Sequence, residues 1–319
     1  MKELASPKPD MWFRPQSLRR LSDSHTKLNE SAKVIGIALK LMEQWSHRAP
    51  SRAEVLDVVA EASSFWRGNI PFKDVGEAAR ATRAHTAKLL LVASTAAFED
   101  FVQQFRKEHN RASANHRTNR ASAHSIKVPS TPSALVKKFA QLWKDTANRQ
   151  IAAEGTDQLV CVANAFVHVR HEVAHKPDGA TWDKAKGVLD LNETKTAWET
   201  VGGPGTLGQI PHLPTATQEG MVSSIDLPHS VLASVVFHRL ASELCCHSMR
   251  IDPDRRALSF AVNEVVFAED LPAEPEARIT KLNSVLTNGQ YPKWSRRQIR
   301  AALEDHGLLD KLLNGPVSA

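Results

Sequence analysis

The chain has 319 residues, of which 42% are hydrophobic and 24% charged, and this near-average composition excludes collagen-like, wholly disordered and coiled-coil-only proteins. Its formal net charge of +6 favours polyanionic partners such as nucleic acid. The longest nearly apolar stretch, residues 89–98, is roughly half as long as a transmembrane helix, so no membrane partner is expected. Three cysteines, two of them adjacent, and an N-terminus without an apolar signal segment predict a reduced, cytoplasmic compartment.

The first part of the chain predicts an arm followed by two helices. Residues 1–26 contain three prolines and show no helical periodicity, which is typical of an arm. Apolar residues then recur at helical spacing, and Ser51 with Glu54 forms the pattern of a capping box that opens the second helix. We therefore interpret residues 27–75 as a helical hairpin.

The rest of the chain predicts a helical bundle, because no convincing alternation of period two occurs. Residues 76–250 form this bundle, interrupted by a basic loop at 110–130 and a Gly/Pro-rich loop at 200–226. Residues 251–319 are expected to be a small basic helical region. The predicted fold class is all-α.

One helix of this bundle concentrates ionisable groups near its end. It should begin at Thr156 and end before Pro177. Asn164, His168, His171 and His175 follow one another at steps of four, three and four residues, which places them on one face. Such a stripe is either a solvated face or a site that uses imidazoles close to their titration point.

The same segment matches the zinc motif H-E-x-x-H. His171 and His175 would bind the metal and Glu172 would act as the general base. Glu193 and Glu199 are the candidate third ligands. Two cations, Arg170 and Lys176, flank the motif and disfavour a dication there. A zinc hydrolase or peptidase is therefore the alternative interpretation.

A second interpretation of this segment pairs Arg170 with His175. The segment Arg-His-x-x-Ala-His, followed by Gly179, resembles the R-x(4–6)-H motif of HEPN proteins, in which a polar residue usually follows the arginine, as His171 does here. Phe-Glu-Asp-Phe around Glu99 resembles the acidic position that several HEPN branches carry on an early core helix. The resemblance covers roughly residues 76–250.

This resemblance implies a HEPN-like bundle and a metal-independent endoribonuclease of the toxin or antiviral defence type, which needs no cofactor. It also implies a homodimer, which brings two motifs together, and a possible antitoxin or regulatory protein as a partner. Arg170 and His175 would be the catalytic pair, His171 would orient the substrate, and Glu99 would fix or polarise Arg170. A non-catalytic RNA- or partner-binding HEPN module is a further alternative.

The chemistry of metal-free RNA cleavage suits these residue types. An imidazole can take the 2′-hydroxyl proton near neutral pH, and a guanidinium can hold two phosphate oxygens. The absence of acidic residues between His109 and Lys144 makes the intervening stretch a candidate RNA-binding surface. Its proposed phosphate contacts are Arg111, Arg117, Arg120 and Lys127.

Overall fold

In the computed structural model, the described residues are 12–48, 51–62, 75–113, 126–146, 155–174, 179–202, 207, 210–215, 225–249 and 252–315. Within them every regular element is an α-helix, which confirms the all-α prediction. The helices are α1 (Gln16–Ser46), α2 (Arg52–Ala62), α3 (Val75–Ser113), α4 (Ala134–Thr146), α5 (Thr156–Ala174), α6 (Gly179–Asp190), α7 (Asn192–Val201), α8 (Leu227–Met249), α9 (Pro253–Val266), α10 (Pro275–Asn288), α11 (Arg296–Asp305) and α12 (Leu309–Asn314).

The long helix α3 lies at the centre of the bundle, and α1, α4, α5, α8 and α9 pack against it. α1 and α8 lie along it, α5 packs against it, and α9 covers its C-terminal part. Phe98 stacks on Phe237 of α8 with ring centroids 4.8 Å apart, and Phe105 contacts Phe260 of α9 in the same manner at 5.9 Å. Aromatic rings on one face of α3 therefore join the central and C-terminal helices into a continuous core.

The first helix begins earlier than the sequence pattern indicates. α1 starts at Gln16, inside the stretch interpreted as an arm, and Leu18 and Leu21 are buried. Phe13, just before the helix, is 1% exposed and lies against Gly289, whose carbonyl accepts a hydrogen bond from the Arg14 amide at 2.8 Å. The beginning of this chain segment is thus part of the core, and its partners are remote in sequence.

Local capping patterns are formed as expected from the sequence. Ser51 and Glu54 exchange the two hydrogen bonds of a capping box at the start of α2. Ser295 and Gln298 do the same for α11. Between residues 179 and 201, Leu191 separates the two helices α6 and α7. The division of the chain into four regions stays a prediction.

Candidate functional site

The His-rich helix α5 lies inside the bundle. It packs against α3, α4, α6, α7 and α8, and most of its side chains from Leu159 to Val169 are buried. Apolar residues surround the helix over this length, which is the pattern of a buried helix rather than of a surface one. In its C-terminal turn the helix becomes exposed again, at His171 and Ala174.

The first half of the polar stripe on α5 has a structural role. Asn164 is 1% exposed; its side-chain oxygen accepts a hydrogen bond from the Ser133 amide at 2.8 Å, and its nitrogen donates to the Thr131 carbonyl at 3.1 Å. His168 is partly buried, and burial is the main reason why its pKa is lowered, opposed by a hydrogen bond with the Thr131 backbone. These two residues hold the segment that leads into α4.

Two further sets of hydrogen bonds hold the segment that leads into α4. The Lys127 amide donates to Asp157 Oδ1 at 2.8 Å, in the first turn of α5. Ser130 donates to Glu193 Oε1 from both its amide and its hydroxyl, at 2.9 and 2.6 Å, and these bonds lower the pKa of the Glu193 carboxyl. Glu193, one of the candidate third zinc ligands, therefore stabilises a loop in this structure. The sequence spacing alone did not indicate that role.

Arg170, the proposed phosphate contact, has a side chain with no partner among the described residues, unlike Asn164 and His168. The side chain is partly buried, and its Nε atom is buried without a hydrogen bond to the described part of the protein. An unsatisfied buried guanidinium nitrogen carries a large desolvation cost, so a ligand or solvent oxygen beside it would be favourable. Arg170 stands one residue before the exposed His171.

The remaining motif residues are only partly described. Glu172 is buried at 6% exposure, whereas His171, directly before it, is exposed. His175 lies outside the described residues, and so does Lys176. Within the described part of the chain, which does not include His175, no three His, Cys, Asp or Glu side chains form a group that could hold a metal ion. The zinc interpretation and the ribonuclease interpretation of this motif therefore both stay predictions.

Glu99 lies on α3 between two buried phenylalanines and is itself partly buried. Among the described residues, no ion pair joins it to Arg170. Its proposed role in fixing or polarising Arg170 therefore has no direct contact to support it in this structure.

The proposed RNA-contacting residues occupy separate places. The guanidinium of Arg111 lies 4.4 Å from the centroid of the Phe267 ring, near the end of α9. At 1.5 Å per residue, Arg111 is about 18 Å along α3 from Glu99. Lys127 is exposed at the other end of the basic stretch, beside the first turn of α5. Arg117 and Arg120 lie outside the described residues.

The structure also assembles a polar cavity that sequence reasoning missed. Glu108, Asn263 and Glu264 line a cavity of about 60 Å³ together with Arg111. Burial raises the pKa of Glu108 to about 7, although the Ser17 hydroxyl and amide donate to its two carboxylate oxygens at 2.7 and 2.9 Å. Glu108 and Arg111 lie more than 150 residues before Asn263 and Glu264, so no local spacing could have indicated this cluster.

A second missed cluster lies between α1 and α8. The imidazoles of His25 and His238 stack with centroids 4.7 Å apart. Each imidazole has a serine partner, Ser234 at 2.7 Å from His25 Nδ1 and Ser22 at 2.9 Å from His238 Nε2. Burial, followed by the charges of His25 and Arg14, lowers the pKa of His238 to about 4. Burial also lowers the pKa of His25, so both imidazoles favour the neutral form in this packed contact.

Comparison with protein-family models, curated proteins and solved structures finds no match to this chain. Within the described residues, no helix has both the length and the apolar character that crossing a membrane requires.

Proposed function

We propose that the protein is a metal-independent endoribonuclease of the HEPN type. The observation that carries the proposal is the buried Nε of Arg170, which has no hydrogen-bond partner among the described residues and stands at the end of α5 next to an exposed histidine. A guanidinium that the surrounding protein does not neutralise is suited to hold a phosphate group. The helical fold and the Arg170–His175 spacing agree with the family resemblance.

In the proposed reaction, the neutral imidazole of His175 accepts the proton of the RNA 2′-hydroxyl as that oxygen attacks the adjacent phosphorus. Arg170 holds the phosphate oxygens and stabilises the negative charge that increases in the transition state. The bond to the 5′-oxygen breaks, and this oxygen takes a proton from a second imidazole. The products are a 2′,3′-cyclic phosphate and a 5′-hydroxyl.

A homodimer would supply that second imidazole, since each α5 carries only one such motif. Asn164 and His168 contact the segment before α4, so we assign the chemistry to the later stripe residues, His171 and His175. His171 would then orient the substrate. A toxin or antiviral effector of this type would also need a restraining partner, such as an antitoxin or regulatory protein.

The test is incubation of the purified protein with total RNA in excess chelator, followed by identification of the product ends. We expect cleavage in the wild type and a loss of at least about 100-fold in Arg170→Ala and in His175→Ala, because both groups act on the reacting phosphate. Arg106→Ala and His85→Ala, at exposed positions on α3, are matched controls and should retain activity.

Three other results would reject the proposal. Products ending in a 3′-hydroxyl would exclude attack by the 2′-hydroxyl. Stoichiometric zinc together with a peptidase activity that Glu172→Gln abolishes would establish the zinc hydrolase instead. RNA binding without cleavage, weakened by Arg170→Ala, would indicate the non-catalytic binding module.

A further inference from the structure

A stripe of exposed apolar residues runs along the C-terminal half of α1. Val34, Ile37 and Leu41 are 66%, 63% and 60% exposed and follow one another at helical spacing. Single exposed aliphatic residues are ordinary, but three on one helix face form a continuous apolar surface. This surface, here called the α1 stripe, has no partner among the described residues.

The α1 stripe borders an apolar groove with basic residues at its rim. The groove has a volume of about 480 Å³, and Ile37, Leu227 and Val231 are among its lining residues. Lys33 and Lys40 are exposed at its edge and form no ion pair with a described residue. The groove therefore suits an apolar helix that carries acidic residues along one side.

Helix α2 has these properties. Val58 is 49% exposed, and Glu54, Asp57 and Glu61 are exposed on the helix at spacings of three and four residues. α2 makes no extensive packing contact with any other described helix, although only five residues separate it from α1. An amphipathic helix of this length gains its stability mainly from packing, so α2 needs a surface to cover its apolar side.

The charges of the two helices are opposite in sign and equal in spacing. Lys33 and Lys40 are seven residues apart on α1, and Glu54 and Glu61 are seven residues apart on α2. Both intervals correspond to about 10.5 Å along a helix. When the two helices pack side by side, both lysines can therefore lie near the acidic edge of α2.

We propose that two copies of this chain associate by placing α2 of each copy on the α1 stripe and groove of the other. One chain carries both halves of this surface, and in the structure its own α2 does not cover its own stripe. When two copies exchange their α2 helices, each α2 packs on a groove and each α1 stripe is covered. The assembly then closes with two-fold symmetry. This association concerns α1 and α2 and does not depend on the proposed ribonuclease activity of α5.

The experiment is sedimentation equilibrium on two charge-reversed variants, Lys33→Glu/Lys40→Glu and Asp57→Lys/Glu61→Lys. Glu54 is left unchanged because it caps α2 through Ser51. Each variant alone places like charges opposite one another, so its association constant should fall about tenfold or more below that of the wild type. An equimolar mixture of the two variants should recover the wild-type association, because each chain then meets opposite charges on its partner.

The mixture of the two variants distinguishes a second copy of the chain from other possible occupants of the groove. If α2 of the same chain covers the stripe, mixing cannot restore anything, and this result would overturn the proposal. Unchanged association of the separate variants, or no association of the wild type, would overturn it as well. Ile37→Asp should also weaken association, whereas Leu89→Asp, at a position 57% exposed on α3, should not. Circular dichroism confirms that each variant folds, and RNA cleavage on the same samples tests the proposed function separately.

Discussion

Asn164 shows how one buried amide organises the neighbourhood of the candidate site. Both of its polar groups are satisfied, one by the Ser133 amide and one by the Thr131 carbonyl. Asn164→Ala removes both bonds and leaves the buried Ser133 amide without its side-chain acceptor, whereas the Thr131 carbonyl keeps its hydrogen bond with His168. We expect the free energy of unfolding to fall by about 1–3 kcal/mol, measured by urea denaturation.

A matched variant makes that measurement specific. Asn192→Ala replaces an exposed asparagine on α7 and should change the free energy of unfolding by less than about 0.5 kcal/mol. Equal effects of the two substitutions would contradict the bridging role of Asn164.

Glu108 should make the protein less stable as the pH rises towards neutrality, whereas an ion-paired carboxylate has the opposite effect. Its pKa is raised by burial from 4.5 to about 7, so the folded protein binds this proton more tightly than the unfolded chain does. The resulting stabilisation is complete below pH 4.5 and is lost as the pH rises through 7, and the shift corresponds to at most roughly 3 kcal/mol. Glu108→Gln should abolish this part of the pH dependence.

The measurement is urea denaturation of the wild type and Glu108→Gln at several pH values between 4.5 and 8. The difference in free energy of unfolding should change in favour of the variant as the pH rises. The glutamine can keep one oxygen for the Ser17 amide and donate to the Ser17 hydroxyl, so its fold should be preserved. Parallel pH profiles would show that Glu108 has an ordinary pKa.

At the level of the helices, two glycines provide a matched comparison. A Cβ atom on Gly289, at the end of α10, would overlap the buried ring of Phe13, whereas one on Gly187, inside α6, would meet nothing within 4 Å. Gly289→Ala should therefore destabilise the protein by about 1–3 kcal/mol. Gly187→Ala should stabilise it by about 0.5–1 kcal/mol, because alanine favours the helix.

Thermal and urea denaturation of both variants check this pair. Unchanged stability in Gly289→Ala would contradict the packing of Phe13 against Gly289, and a loss of stability in Gly187→Ala would contradict the open surroundings of Gly187 in α6. The comparison is informative because the two substitutions add the same methyl group to the chain.

The helices differ in how far the sequence could predict them. The capping boxes at Ser51 and Ser295 are local patterns, and the structure contains both. The start of α1 was not predictable in this way, because Phe13 owes its burial to Gly289, far away in the chain. The helical spacing of Asn164 and His168 predicts that they share a face. It does not predict the backbone segment that packs on this face, because that segment is remote in sequence.

Over the whole molecule, the N-terminal segment connects the central helices to the C-terminal ones. Phe13 packs on Gly289, and Arg19 forms an ion pair with Glu264 of α9 at 2.5 Å. Phe13→Ala should lower the free energy of unfolding by about 3–5 kcal/mol. It should also increase amide hydrogen exchange in α10, measured by mass spectrometry.

The exchange pattern is the decisive readout of that variant. If faster exchange remained confined to the first turns of α1, the segment would merely lie on the surface of the C-terminal helices. Leu89→Ala on α3, where the side chain is 57% exposed, is the control and should leave the exchange of α10 unchanged.

The contact between Phe13 and Gly289 also sets an order of events during synthesis. Residue 13 leaves the ribosome early, but the glycine against which its ring packs is added 276 residues later. At about 5–20 residues per second, this interval lasts roughly 15–55 seconds. Throughout it, the apolar start of α1 has no C-terminal partner, and a nascent chain that stops before α10 cannot complete its core.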